Sequence, residues 1–187
     1  IASNLIDRTT DDLDLFAGAP VTSVRDAREA LVEALQAEGH RVDVLRDAQT
    51  FCRMVVRDDA DEVLVDLAID SPPISVPTLT VLGPTLAPDE LATRKLLALF
   101  GRAEARDFAD VYLLAQRFNR DEMMRMAASM DLGFNEEVLG QMLSTMVRFS
   151  DDEIPLQSSQ VPEARTYFHE WASELRRQLG TGPADAE

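Results

Sequence analysis

The chain has 187 residues, 45% of them hydrophobic and 28% charged, which is the composition of a soluble globular protein with room for one substantial core or two small lobes. Its net charge of −16 argues against broad nonspecific nucleic-acid binding, which rests on lysine and arginine neutralising phosphates, without excluding a local basic track, and suits a basic partner. The single cysteine, Cys52, excludes an internal disulfide framework, and no run approaches the roughly 18 apolar residues a membrane span needs, so a cytoplasmic location and no membrane partner are expected.

The chain starts at Ile1 with no initiator methionine and no signal-type segment, so its extreme N-terminus is expected to lie upstream. Asp12-Leu13-Asp14-Leu15-Phe16 alternates strictly and predicts a strand ended by Gly18 and Pro20. Val24 to Glu38 predicts a helix capped by Thr22 or Ser23, with Ala27, Leu31, Ala34 and Leu35 as its apolar stripe and Gly39 at its end. Three Val- and Leu-rich strands are expected at Arg41–Leu45, Thr50–Val56 and Glu62–Ile69, the last two joined by a turn at Asp58–Asp61. The Pro-rich connection from Pro72 to Pro88 holds at most one short strand, near Leu79–Leu82. Helices are expected from Pro88 to Phe100, and then at Glu104–Phe118, Arg120–Ser129, Glu136–Arg148 and Pro162–Leu179. The layout is α+β: an α/β lobe with a mixed sheet over residues 1–86, a helical bundle over 87–180 and a disordered tail over 181–187. Neither a G-x-G-x-x-G nor a G-x-x-x-x-G-K-[ST] motif occurs.

Three carboxylates stand out. Asp12 and Asp14 are two apart on a strand, so both side chains lie on one face and Leu13 and Leu15 on the other. Asp66 interrupts the apolar strand Val63-Leu64-Val65-Asp66-Leu67, where a carboxylate is costly unless it is paired, hydrogen-bonded or metal-bound. An isolated D-x-D is more often a solvated strand end. Three carboxylates converging from two strands repel one another, and a divalent cation relieves that repulsion. Mg²⁺ suits such a set, because it takes hard oxygen ligands and completes its shell with substrate phosphates and water.

The basic residues crowd one stretch: Arg94, Lys95, Arg102, Arg106, Arg117 and Arg120. The helix that carries Lys95 and Arg102 is apolar nearly all round and is expected to be buried, so its cations either snorkel to solvent or face a polar cleft such as one holding a metal-bound triphosphate. In Arg106-Asp107-Phe108-Ala109-Asp110-Val111-Tyr112, the stripe Phe108, Val111, Tyr112 and Ala115 faces the core. Asp107 and Asp110 share another face, where structural pairing with Lys95, Arg102 or Arg106 competes with a catalytic role.

Together these segments resemble the AbiEii/AbiGii nucleotidyltransferase-like toxin family, which includes the MenT-type toxins. The matching elements are Arg8-Thr9-Thr10-Asp11-Asp12-Leu13-Asp14-Leu15-Phe16, Val65-Asp66-Leu67, the run from Leu91 to Arg102 and the run from Arg106 to Tyr112. They span most of the chain up to about residue 120. The resemblance implies a polymerase-β-like nucleotidyltransferase lobe followed by a C-terminal helical bundle. It implies metal binding at Asp12 and Asp14, phosphate contact at Thr10 and triphosphate handling by Lys95, which Arg102 or Arg8 is expected to assist. It also implies a catalytic carboxylate at Asp107 or Asp110. Asp66 is expected to ligate the second of two Mg²⁺ ions or to accept a proton. The implied reaction moves a nucleotide from an NTP to an RNA hydroxyl, at the acceptor end of tRNA in some members, and the implied partner is a separate antitoxin. The family's Gly-rich turn before the D-x-D has no counterpart in Ile1–Asp7.

Two other functions fit the same residues. One is an inactive nucleotidyltransferase fold serving as a binding module. The other is a nucleotidyltransferase acting on a small molecule of the antibiotic type, which the acidity of the chain favours. Cys52 reads as a buried thiol, and Met123, Met124, Met126 and Met130 read as core at helical spacing.

Overall fold

The computed structural model describes residues 12–18, 21–81 and 83–180. Arg8, Thr10 and the expected tail over 181–187 lie outside them. The chain divides into two compact units, one ending at Val76 and the other beginning at Pro77.

The first unit is a four-stranded mixed sheet with one helix. Its elements are β1 (Asp12–Ala17), α1 (Arg25–Ala37), β2 (Arg41–Asp47), β3 (Phe51–Arg57) and β4 (Glu62–Ile69). The strand order is β1-β4-β3-β2, with β1 parallel to β4 and the other pairings antiparallel. Alternation divides the strands into two faces. Leu13, Leu15, Val42, Cys52, Met54, Val56, Val65 and Leu67 gather on the core side with Val24, Leu31 and Val32. Burial raises the pKa of the Cys52 thiol above its ordinary value, as expected of a group kept in the core.

The half-buried stripe of α1 is Arg28, Leu31, Val32 and Leu35, and Ala27 and Ala34 are exposed. The stripe is rotated from the expected one: Leu31 and Val32 pack against the core of the sheet, and Arg28 beside them pairs with Asp47 and Glu29. No side chain caps α1 at Val24, although the Ser23 hydroxyl accepts from the Arg25 N–H at 3.2 Å. Gly39, at φ +91°, ends the helix in the left-handed region open to glycine. The β3–β4 turn is held by the Asp58 carboxylate, which accepts from the N–H groups of Ala60 and Asp61 at 2.8 Å.

The second unit opens with an antiparallel hairpin, β5 (Thr78–Thr80) and β6 (Gly83–Thr85), where the sequence predicts at most one strand. Pro84 can serve in β6 because a two-stranded sheet leaves one side of each strand without a neighbour to bond. Helices follow: α2 (Pro88–Arg102), α3 (Ala105–Ala115), α4 (Arg120–Met130), α5 (Glu136–Ser144) and α6 (Val161–Gly180). The expected helix to Arg148 stops at Ser144 and continues as a 3₁₀ turn over Thr145–Arg148, with a second 3₁₀ turn at Asp151–Glu153. Pro88 fits the first turn of α2, where its missing N–H costs nothing. Asn119 and Asn135 cap α4 and α5, each side chain accepting two backbone N–H groups.

The core of this unit is aromatic. Phe108 of α3 meets Phe168 of α6 edge-on at 5.1 Å and Phe149 at 6.0 Å. Met123 and Met124 are buried, so these methionines are core. No helix among the described residues is long and apolar enough to cross a membrane.

Candidate active-site residues

In the first unit, sheet register assembles the acidic face. Asp12 pairs with Leu64 and Asp14 with Asp66, while Arg53 of β3 pairs with Asp66 from the other side. Register partners share a face, so Asp12, Asp14, Asp66 and Arg53 all project opposite the core, with Asp14 and Asp66 on backbones roughly 4.8 Å apart. Asp12, Asp14 and Asp66, the three carboxylates singled out in the sequence, lie on one face of the sheet.

Arg53 was not among the sequence candidates. Its guanidinium forks onto Asp66, Nε to Oδ1 at 2.8 Å and Nη2 to Oδ2 at 2.6 Å. The pairing with Asp66 comes first in holding its proton more tightly than usual, and the fields of Asp14 and Asp12 add to it. The guanidinium carbon also lies 5.7 Å from the centre of the Phe51 ring, over which Arg46 sits at 5.2 Å. Arg57, next along the same face of β3, is occupied by Glu62 and Asp43.

Asp12 and Asp14 are hard oxygen donors on one strand face, the protein share that Mg²⁺ takes when water and substrate phosphates complete its shell. Asp66 has both oxygens engaged by Arg53. Among the described residues no three His, Cys, Asp or Glu side chains form a group that would hold a metal by themselves.

In the second unit the expected pairing of α2 with α3 sorts itself by residue. Lys95 Nζ stands 2.9 Å from Asp110 Oδ2, the lysine side chain 31% exposed and the aspartate 1%. The Arg102 guanidinium forks onto Asp107, Nε to Oδ2 at 2.9 Å and Nη2 to Oδ1 at 2.8 Å. Asp107 also accepts from the Glu104 N–H at 3.0 Å and completes a capping box at the start of α3. Burial alone would push the Asp107 pKa up, but Arg102 and the Glu104 N–H together hold it below the ordinary carboxylate value. Arg106 pairs with Glu104. Asp107 is thus part of the α2–α3 corner, and Asp110 is a buried carboxylate that holds the Lys95 side chain at the edge of solvent.

Within the basic stretch, Arg94 is paired with Glu90, Arg102 with Asp107, Arg106 with Glu104 and Arg120 with Glu174, and Lys95 with Asp110.

A family model described as the nucleotidyl transferase AbiEii toxin of type IV toxin–antitoxin systems matches residues 1–185. No curated protein matches the chain. Among solved structures the chain is similar to MenT4, a nucleotidyltransferase toxin from Mycobacterium tuberculosis H37Rv, with a TM-score of 0.50 and 16% identity over 92% of this chain and 77% of that one. At that identity the likeness speaks to the fold, a mixed sheet with helices.

Proposed function

The chain belongs to the AbiEii family of nucleotidyl transferase toxins of type IV toxin–antitoxin systems, and from that premise we propose Mg²⁺-dependent transfer of a nucleotide from an NTP to an RNA hydroxyl, at the acceptor end of tRNA. Membership makes it a nucleotidyltransferase with a nucleotide substrate and a cognate antitoxin. The metal, the RNA acceptor and the residue roles are our reading. The observation that carries it is the presence of Asp12 and Asp14 on one face of β1, with Asp66 beside Asp14 in register.

In this reading Asp12 and Asp14 hold the metal, and their negative charge draws it to the strand face where the phosphates are to lie. Bound Mg²⁺ would neutralise the triphosphate and lower the pKa of the attacking hydroxyl. Lys95, oriented by buried Asp110, handles the triphosphate, as the family resemblance implies. Thr10 contacts phosphate, as the family resemblance implies, and Arg102 or Arg8 assists Lys95. Asp107 acts one step removed, fixing the turn from which α3 carries Asp110.

A small cationic acceptor is the second reading. The charge of −16 and the carboxylate partners of Arg94, Lys95, Arg102, Arg106 and Arg120 favour it, because RNA must find phosphate contacts elsewhere. The test is incubation with each labelled NTP, Mg²⁺ and either total RNA or an aminoglycoside. Label entering RNA, concentrated in tRNA and lost when its 3′ hydroxyl is oxidised, is the expected result. Label entering only the aminoglycoside would replace the RNA reading. A folded protein that labels neither acceptor would leave a binding module.

A further inference from the structure

The Arg53–Asp66 pair lies where the reading above needs a divalent cation to work. A fork of two short, parallel N–H···O bonds engages both oxygens of Asp66 and is the strongest geometry a guanidinium makes with a carboxylate. Register sets that carboxylate directly beside Asp14. Asp14 and Asp12 both act on the guanidinium through space, so its positive charge serves them as well as Asp66. The Arg53 side chain is 45% exposed and that of Asp66 13%. The arginine therefore has open water to move into, whereas the aspartate is fixed in the sheet.

We propose that Arg53 is a built-in counter-ion of Asp66 and competes with the divalent cation for it, so that the guanidinium must leave Asp66 before Asp66 can serve as a ligand. A triphosphate offers the departing guanidinium another anion to pair with. Nucleotide and metal then favour each other's binding, and the metal alone binds weakly. This rests on the assignment of Asp12 and Asp14 as metal ligands.

The test is calorimetric titration of the purified protein with Mn²⁺, with and without a non-hydrolysable NTP, for wild type, Arg53→Gln, Arg53→Lys and Arg53→Gln/Asp66→Asn. Without nucleotide, Arg53→Gln should bind Mn²⁺ about tenfold more tightly than wild type, the scale for removing one competing unit charge from a half-exposed site. Arg53→Lys, which keeps the charge and loses the fork, should fall between them. The double variant should lose the gain. Nucleotide should tighten Mn²⁺ binding more in wild type than in Arg53→Gln. Mn²⁺ binding no tighter in Arg53→Gln than in wild type, or absent from both, overturns the proposal. If that happens while wild type still transfers nucleotide, only the role of Arg53 falls. If wild type transfers nothing but Arg53→Gln tightens Mn²⁺ binding, the proposed reaction falls and the counter-ion stands.

Discussion

Asp107 and Asp110 lie one helical turn apart on α3, both about 1% exposed, yet they have different neighbours. Asp107 is held ionised by Arg102 and a backbone N–H, so its folded pKa lies below its unfolded one. The stability it contributes is complete above the unfolded carboxylate pKa and is lost as pH falls through the depressed folded value. Asp107→Asn should cost about 1–3 kcal/mol at neutral pH. The gap from wild type should narrow at pH 3, as read by urea unfolding at both pH values. An equal gap at both would mean that the charge of Asp107 is not what stabilises the corner. The sequence showed that the two aspartates share a face with nearby cations. It could not say which cation each takes, because that depends on where α2 turns into α3 at Ala103, a left-handed residue with φ +49°. Arg53 was hidden for a related reason. Its partner Asp66 is 13 residues away, and only strand register puts the two side by side.

At the scale of elements, periodicity carries furthest where a segment has one buried face. β1 to β4 and α2 to α6 lie where alternation and helical spacing put them, because Leu13 and Leu15, Cys52 and Met54, and Phe108, Val111 and Tyr112 each repeat with the period of the element they build. The pattern fails where burial is slight. β6 is Gly83-Pro84-Thr85, which has no apolar alternation to read, and exposed Leu79 and Val81 beside it gave no face. The α1 stripe takes in Val32 in place of Ala27 and Ala34, because the larger side chain packs on the sheet core, and helical spacing alone allowed either choice. The contact of α3 with α6 depends on Phe108 against Phe168. Phe108→Ala should therefore cost about 3–5 kcal/mol in thermal or urea unfolding. A loss below about 1 kcal/mol would show that the aromatic cluster is not the support of this unit.

At the scale of the whole molecule, an acidic chain gathers its catalytic candidates as charge pairs: Arg53 on Asp66 in the first unit, Lys95 on Asp110 and Arg102 on Asp107 in the second. Asp12 and Asp14 are the residues on which the enzymatic reading depends. The most direct measurement compares Mg²⁺-dependent transfer of label from NTP by wild type and by Asp12→Asn/Asp14→Asn, with unfolding midpoints recorded on the same preparations. The account predicts transfer reduced by at least about a hundredfold with the midpoint unchanged. A folded double variant that transfers label at the wild-type rate would contradict it.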